Sequence, residues 1–540
     1  MATTNVQDAL GKVGSPAPIR NLANREWDVV VVGGGHNGLT AAAYLARAGR
    51  SVLVLERREQ LGGACTIEQP FDDPRWLVSP CAYLVGLLHP LVVDELGLRS
   101  RGYRVHLVDP HLWCPFDDGT SLALWDDSRR NASAVARIAP TDVDGYLAYE
   151  ALFARLRRAL RHGRRDSWLG SAPDRAEIEE LLGHDDELID VVFEASIAEV
   201  VERHVRDERL RTALHGQGII GTYAGPRDRG TAAVHLMHAS GTLEGAAGAW
   251  GYVEGGMGRV SFALADAAIE AGAVVATSIQ VDAIRPGEGV RVDGDVTIRA
   301  RTVVSNADPK RTIGMCESDV PTDFRDRVAG WRTDGAVVKV NCALSRLPRF
   351  TAATTDVAPH RAMVTISSGI DATQAAFESC RRGEPAPRWC ELYFHTAYDA
   401  SVAPPGRHTM SVFAQYVPYD LAAGEWDRRR EAIGDMVIEQ IARFAPDVGD
   451  VIEHRQVLGP RDIEQRMGLT GGHIFQGDCL PEQMWSQRFA PRTPVPGVYL
   501  CGAATHPGGS VIAINGRNAA MAVLDDLDRY GSAGESPTRR

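Results

Sequence analysis

The sequence predicts an α/β fold, α+β overall. A parallel-sheet domain is assembled from separated segments, and a second domain of mixed sheet and helices is inserted between them. Two strand–glycine loop–helix units lie near opposite ends of the chain, at residues 28–63 and 497–524, and helical and strand-like blocks alternate between them. The length of 540 residues exceeds what one hydrophobic core usually supports, so two domains are expected.

The first unit has the pattern of a dinucleotide-binding βαβ motif. Residues 28–32 form an apolar run typical of a buried parallel strand, which leads into a G-x-G-x-x-G made by Gly33, Gly35 and Gly38. These glycines permit a tight turn, backbone approach to a pyrophosphate and close helix–strand packing. The following helix offers free N–H groups to the phosphates, and Glu56 ends the next strand where a carboxylate can accept hydrogen bonds from ribose hydroxyls. The unit predicts a Rossmann-type domain.

A second glycine pair, Gly62-Gly63, bears on the choice between NAD and FAD. In flavoproteins with two dinucleotide-binding motifs, a pair just after the acidic residue approaches the ribityl chain and pyrophosphate of FAD, and the present pair resembles it. The alternative is a simple turn after residues 57–60, because glycine pairs are common in turns.

The C-terminal unit favours the flavin. A strand at residues 498–501 leads into a glycine-rich loop and then a helix. Small residues allow a flat ring to approach the backbone, and N–H groups at the helix start can stabilise an anionic reduced flavin. The residues concerned are Gly502, Gly508, Gly509, Asn515 and Gly516. The alternative is a purely structural strand–helix unit.

The middle of the chain reads as a second domain. Residues 131–215 have a helical pattern, and strands are predicted at residues 335–344, 391–396 and 409–416 as the floor of a substrate-facing domain. A second G-x-G-x-x-G follows a helix and not a strand, so we expect a loop lining the substrate cavity and not a nucleotide site. Its glycines are Gly216, Gly218 and Gly221.

Composition excludes several classes of protein. The net charge is −12 with no basic block, which argues against nucleic acid as the main partner. The 9 cysteines show no metal-ligand spacing, so no metal site is expected, and they fit reduced thiols of a cytoplasmic protein. We find no secretory signal, and the longest apolar stretch is too short to span a bilayer. Peripheral membrane contact and a homodimer are compatible with the sequence.

These motifs, with SNADP at residues 305–309 and GAATHPGG at residues 502–509, resemble the phytoene desaturase-like branch of the FAD-dependent amine oxidase superfamily. Within that branch the chain is most similar to the pyridine nucleotide-disulfide oxidoreductase domain-containing protein 2 group. The resemblance covers residues 27–527 and implies a p-hydroxybenzoate-hydroxylase-like fold. The boundaries it implies are residues 26–100, 245–308 and 486–530 for the FAD-binding domain and residues 101–244 and 309–485 for the substrate domain. Residues 1–25 are small and polar with prolines, so we expect a flexible arm there, and a flexible tail at residues 531–540.

The resemblance also assigns cofactor-binding residues. The ADP half of FAD would be held by Gly33, Gly35, Gly38, Glu56, Arg57, Gly62 and Gly63, the adenine by the backbone of Val281, and the ribityl chain and flavin ring by Gly502, Gly508, Gly509, Asn515 and Gly516. Amine oxidases often place an acid after the strand glycine, whereas here Ala503 follows Gly502. No cysteine stands in a position suited to a covalent flavin link, so non-covalent FAD is expected.

Lys339 is the candidate catalytic residue. It interrupts an apolar strand in a chain that has only 3 lysines. In amine oxidases a lysine in a similar strand context lies near flavin N5, where a buried amine can relay protons or help oxygen react with the reduced ring. The alternative is a strand residue that points to solvent, since one face of a strand can be polar.

The sequence therefore predicts an FAD-dependent dehydrogenase, oxidase or desaturase. A hydride would pass from a C–H bond to flavin N5, leaving a C=C or C=N bond, with oxygen or a quinone as electron acceptor. Aromatic residues suggest an apolar or flat small-molecule substrate, and no carboxylate–histidine pair stands out as a general base. The alternatives are an amine oxidase, a polyene isomerase that uses reduced FAD, and a non-catalytic flavoprotein that acts in assembly or partner binding.

Overall fold

The computed structural model describes residues 5–533, and two seven-stranded sheets dominate that range. We call the first the nucleotide sheet. Its strand order is Val281–Arg285, Gly289–Val292, Val296–Ser305, Trp27–Val32, Val52–Leu55 and Val274–Ala276, with Val498–Leu500 also paired to Val296–Ser305. The central strand, Trp27–Val32, runs parallel to both of its neighbours, as predicted from its unbroken apolar run.

Three helices pack together beside the glycine loop that follows the strand Trp27–Val32 of the nucleotide sheet. The helix His36–Arg47 follows the central strand directly and packs against the helices Gly258–Glu270 and Ile514–Ala533. The contact with the last helix is close, because a Cβ atom on Gly516 would lie 2.1 Å from the carbonyl oxygen of Asn37. A glycine is therefore required where these two helices meet.

The second sheet, which we call the substrate sheet, is mixed. Its strand order is Ile452–Leu458, Val337–Leu344, His408–Gln415, Trp389–Tyr393, Val364–Ser367, Leu112–Pro115 and Ser121–Leu124. All its pairs are antiparallel except the one between Val364–Ser367 and Leu112–Pro115. Two small two-stranded ladders pair Val105–Leu107 with Gly251–Val253 and Thr242–Leu243 with Ala246–Ala247.

Helices pack around the substrate sheet, and the predicted helical block at residues 131–215 is confirmed. Within that block, reciprocal side-chain hydrogen bonds at Asp174 and Ser196 cap two helix N-termini. The helices of this block are Ser128–Ile138, Val143–His162, Arg175–Leu181, Asp186–Phe193, Ile197–His204 and Glu208–Leu214. The remaining longer helices are Thr231–Ala239, Ile370–Arg381, Trp426–Ala442 and Pro460–Met467.

The N-terminal segment differs from the predicted flexible arm over residues 5–25. Val6 is fully buried, the guanidinium of Arg259 donates to the carbonyl oxygen of Gln7 at 3.0 Å, and a short helix spans Ile19–Ala23. The expectation rested on small polar residues and prolines, whereas the segment is held by a groove formed by distant parts of the chain. At the other end, Ile514–Ala533 extends into the predicted tail, and the rest of that tail lies outside the described residues.

The second boundary difference concerns residues 309–331. The helices Pro309–Met315 and Thr322–Ala329 pack with the nucleotide sheet and not with the substrate sheet, since Phe324 and Trp331 share a hydrophobic cluster with Trp27. The ring centroid of Trp331 lies 4.7 Å from that of Phe489. The predicted start of the substrate domain at residue 309 is therefore too early on packing grounds.

Candidate active site

A cavity of about 530 Å³ lies between the two sheets. The carboxyl edge of the nucleotide sheet contributes one wall, which includes Gly33, Gly35, Asn37, Glu56, Gly62 and Gly63. The substrate sheet contributes the other, with Lys339, Met363, Glu391, Tyr393 and Phe413. The cavity thus joins the predicted nucleotide motif to the predicted catalytic lysine.

The phosphate loop is shaped by backbone contact. The third glycine of the motif, Gly38, stands behind the cavity wall. A Cβ atom there would lie 2.2 Å from the carbonyl oxygen of Gly33, so only a glycine lets the helix pack this closely against the loop. The helix His36–Arg47 starts at Gly35 without a side-chain cap, so its first N–H groups have no intrahelical acceptor. Asn37 lines the cavity, and its side-chain oxygen is buried with no hydrogen-bond partner among the described residues. This wall therefore offers unsatisfied polar groups to a ligand.

Glu56 stands at the end of the second strand, as predicted. Its carboxylate accepts hydrogen bonds from the backbone N–H of Gly34 at 2.8 Å and of Arg58 at 2.9 Å, and the residue is buried. The neighbouring Arg57 and the strand residue Val281 also line the cavity. The Arg57 guanidinium donates to backbone carbonyls of the helix Pro460–Met467, and burial lowers its pKa.

The second glycine pair packs against the phosphate loop. Gly62 donates its N–H to the carbonyl oxygen of Gly34 at 2.8 Å, and a Cβ atom on Gly62 would lie 2.3 Å from the carbonyl oxygen of Cys65. Both glycines have positive φ and line the cavity. The pair is therefore part of the cavity wall and not only a connecting turn.

The residues of the C-terminal loop that line the cavity are not the ones predicted from the sequence. Ala503, Ser510 and Val511 line the cavity. The predicted residues Gly502, Gly508, Gly509, Asn515 and Gly516 are not part of that lining and stand behind it. Their contacts show why small or amide residues are needed there: a Cβ atom on Gly509 would lie 2.3 Å from Phe475, and the Asn515 amide donates to the carbonyl oxygens of Thr505 and Gly508.

The residues that replace the predicted glycines on the wall have a strained backbone. Ser510 and Val511 have positive φ, as does Ala513 outside the cavity lining, and positive φ is uncommon for residues with a side chain. Among residues 5–533, no acceptor is found for the backbone N–H groups of Ser510 and Val511. Free N–H groups in such a loop form a concave binding site for electron-rich groups.

Lys339 lies inside the molecule, so the solvent-facing alternative is wrong. It is 2% exposed, its Nζ donates to Ser411 Oγ at 2.6 Å, and Nζ lies 3.8 Å from the ring centroid of Tyr83. Burial lowers the pKa of Lys339 to about 7. The amine therefore exchanges its proton far more readily at neutral pH than a surface lysine does.

Glu391 is the residue on this wall that sequence reasoning missed. It is 2% exposed and lines the cavity, and burial raises the pKa of its carboxyl to about 7. Gln217 Nε2 donates to one carboxyl oxygen at 2.7 Å, and the Tyr393 hydroxyl donates to the other. The only available signal was a single charged residue within the apolar run 389–394.

The second G-x-G-x-x-G supplies Gln217. As predicted, this turn lines the cavity, through Gln217 and Ile220. A Cβ atom on Gly216 would lie 2.3 Å from the indole nitrogen of Trp389, so the glycine allows the turn to close on the substrate sheet. Gln415 fixes the turn from below by accepting from the N–H of Gly221 at 3.0 Å and donating to the carbonyl oxygen of Ile219 at 3.0 Å.

Comparison with known proteins identifies the family. The family described as flavin containing amine oxidoreductase matches residues 38–524. The chain belongs to this family. Pyridine nucleotide-disulfide oxidoreductase domain-containing protein 2 from Rattus norvegicus is 34% identical over 93% of this chain and 94% of that protein. A limonene dehydrogenase subunit from Castellaniella defragrans is 27% identical over 93% of this chain and 95% of that protein.

Solved structures show the same fold. Cyclohexylamine oxidase from Brevibacterium oxydans has a TM-score of 0.58 at 18% identity, covering 94% of this chain and all of that chain. The family match confirms the predicted superfamily, and the likeness to solved structures confirms the predicted fold class. FAD is the cofactor of this family, and the cavity fits it through its free N–H groups, its glycine cradle and the unpartnered side-chain oxygen of Asn37.

The protein is thus an FAD-dependent oxidoreductase that acts on a small molecule. In the part of the chain that the structure describes, no helix combines the length and the apolar character needed to cross a bilayer.

Proposed function

We propose that this oxidoreductase takes a hydride from a C–H bond of an apolar or flat small molecule and a proton from the neighbouring atom, leaving a C=C or C=N bond. The observation that carries the proposal is that a single cavity is lined by the glycines of the nucleotide sheet (Gly33, Gly35, Gly62 and Gly63) on one side and by aromatic residues of the substrate sheet on the other. FAD, when bound there, would supply the two-electron acceptor chemistry.

The cofactor-binding residues follow from the cavity wall. Gly33, Gly35, Gly62 and Gly63 would hold the pyrophosphate, and Glu56 would accept hydrogen bonds from the adenosine ribose. Arg57 and Val281 would flank the adenosine. The predicted Gly38, Gly502, Gly508, Gly509, Asn515 and Gly516 would act indirectly, by shaping the loops whose backbone meets the cofactor.

The aromatic wall supports an apolar substrate. The ring centroids of Tyr83 and Tyr393 lie 4.4 Å apart, and those of Tyr83 and Phe413 lie 5.8 Å apart. Trp250 and Phe475 also line the cavity. Rings of this kind exclude water and hold a hydrocarbon or ring-shaped substrate by burial of apolar area.

Amine oxidation is the second candidate, and the paired rings of Tyr83 and Tyr393 favour it. These two rings contact each other, with centroids 4.4 Å apart, so a neutral amine would lie against their faces and not between them. Its nitrogen lone pair assists loss of the hydride from the adjacent carbon. Desaturation of a hydrocarbon is supported by the likeness to a limonene dehydrogenase subunit over 93% of the chain.

Anaerobic flavin bleaching tests both candidates. The purified holoenzyme would be mixed with limonene, cyclohexylamine and further members of the two classes, and the visible flavin bands followed. Loss of the bands with a cyclic alkene supports desaturation, and loss with an amine supports amine oxidation. A flavin that dithionite reduces but no donor of either class reduces would contradict the proposal. Subsequent addition of oxygen or a soluble quinone identifies the acceptor class.

A further inference from the structure

Glu391 is a buried carboxyl that no cation pairs with. Within residues 5–533, no ion pair joins it to a lysine, arginine or histidine, although it is 2% exposed. Its partners are neutral: the Gln217 amide donates to one oxygen and the Tyr393 hydroxyl to the other. A buried acid without a counter-charge is costly to keep ionised, so proteins rarely retain one without a use for its proton.

The register of the substrate sheet sets Glu391 in a row with Lys339. Lys339 pairs with Phe413 across one ladder, and Phe413 pairs with Glu391 across the next. Directly paired residues point to the same face of a sheet, and neighbouring strands are about 5 Å apart. The carboxyl and the amine therefore stand on either side of the Phe413 ring, on the same cavity wall.

The groups around Glu391 favour reversible proton uptake. The ionisable groups that face it are Lys339, Tyr83 and Tyr393, and burial raises the pKa of both tyrosines. Lys339 favours the carboxylate form of Glu391, whereas burial favours the protonated form. Opposed effects of this kind bring the pKa of a carboxyl close to neutral pH, where general-base catalysis is most effective.

The other basic groups of the cavity are less suited. The imidazole of His238 lines the cavity, but burial lowers its pKa to about 4, which makes it a weak base. Lys339 acts as a hydrogen-bond donor, because Ser411 accepts from Nζ and in turn donates to the side-chain oxygen of Asn341 at 2.8 Å. The Tyr83 ring also favours its cationic form.

We propose that Glu391 is the catalytic base of this active site and that Gln217 is its positioning residue. The inference rests on the proposed function: as the hydride leaves one substrate atom, the C–H or N–H bond of the neighbouring atom breaks, its electrons form the new double bond, and its proton moves to a Glu391 oxygen. FAD is the oxidant, and the carboxylic acid later releases the proton to solvent. The second glycine motif then has a role, since it holds Gln217 against the carboxylate.

The first test needs no substrate. Infrared difference spectra of the wild-type holoenzyme, recorded as the pH is lowered through neutrality, are expected to show a protonated-carboxyl band that is missing in Glu391→Gln. The exposed Glu384→Gln is the matched control and should keep the band. Gln217→Leu should move its appearance to higher pH, because a donor to the carboxylate is lost. A wild-type band that is unchanged in Glu391→Gln would overturn the inference without touching the proposed function.

The second test uses the donor that bleaches the wild-type flavin. Glu391→Gln should retain flavin and slow bleaching by about 10²-fold or more, the usual loss on removing a general base. Glu391→Asp should recover part of the rate, and Gln217→Leu should shift the pH profile in the direction seen by infrared. If Lys339→Met removes the pH dependence of bleaching and Glu391→Gln keeps it, Lys339 is the base and the inference is wrong. Absence of bleaching by any donor contradicts the proposed function instead, and the infrared result then decides on Glu391 alone.

Discussion

In its protonated form Lys339 places a positive charge on the cavity wall, and no carboxylate in the described part of the chain forms an ion pair with it. Its hydrogen-bond partner is a hydroxyl, and its nearest aromatic neighbour is the Tyr83 ring. A charge that is not neutralised locally acts on whatever the cavity holds. We expect it to favour the anionic species that form when a reduced flavin reacts with oxygen.

The Lys339→Met variant tests this role. It should retain FAD, because Lys339 is on the substrate-sheet wall, and its photoreduced flavin should react with oxygen at least about tenfold more slowly, a loss of about 1.4 kcal/mol in barrier lowering. Stopped-flow reoxidation measures the rate. Lys310→Met is the control, since Lys310 bonds to Thr333 and does not line the cavity. An unchanged reoxidation rate in Lys339→Met would remove Lys339 from the mechanism.

The lowered pKa of Lys339 also predicts a pH dependence of stability. Between its folded-state pKa of about 7 and its ordinary value of 10.5, the unfolded chain holds one more proton than the folded protein. Unfolding free energy should therefore rise with pH across this window, by at most about 1.4 kcal/mol per pH unit from this residue. Urea titrations at several pH values should show a smaller rise in Lys339→Met. An equal rise in both proteins would mean that Lys339 titrates normally.

Lys339 could be predicted from sequence and Glu391 could not, for a physical reason. A lysine inside an apolar strand is visible in one segment of the chain. The role of Glu391 depends on two ladders that align it with Lys339 and on a distant turn that brings Gln217 to it. Register between separated strands is set by tertiary packing and cannot be read from local periodicity.

At the scale of elements, the strand–loop–helix units are the best predicted parts. The strand at residues 27–32, the helix at residues 36–47 and the helix start near Asn515 follow directly from apolar runs and glycines. The finer positions of the C-terminal loop did not follow. Gly508 and Gly509 were expected on the wall, but Ser510 and Val511 occupy it. Gly508 is needed for its φ of 133°, and Gly509 is needed because a Cβ atom there would lie 2.3 Å from Phe475.

Gly38→Ala tests the phosphate loop as an element. A methyl group there would stand 2.2 Å from the carbonyl oxygen of Gly33, so the strand and the helix must separate. We expect the variant to lose most of its FAD and to melt at a lower temperature. Flavin content and thermal denaturation measure both effects. Gly314→Ala is the control, because a methyl group at Gly314 meets no atom within 4 Å. Full FAD content in Gly38→Ala would contradict the fit of FAD to this loop.

At the scale of the whole molecule, the sequence predicted two sheets built from interleaved segments, and the structure has them. It did not predict that residues 309–331 stay with the nucleotide sheet or that residues 5–25 are held against it. Both depend on packing against distant residues: Phe324 and Trp331 share a hydrophobic cluster with Trp27, and Val6 belongs to the main hydrophobic core. The domain boundaries drawn from the resemblance remain predictions elsewhere.

The whole cavity also bears on how the flavin is attached. Cys65 and Cys81 line it, and burial raises the pKa of both thiols to about 12, so neither is a ready nucleophile. Cys501 is buried outside the cavity lining. These environments support the prediction of non-covalent FAD.

The visible spectrum of the purified protein, recorded before and after heat or acid denaturation, tests the central claim most directly. We expect the bands of oxidised flavin in the native protein and their release into the supernatant on denaturation. Colour that stays with the precipitate would show a covalent link at a residue not identified above. A colourless protein that takes up no added FAD would contradict the assignment of the cavity, and with it every step built on that cofactor.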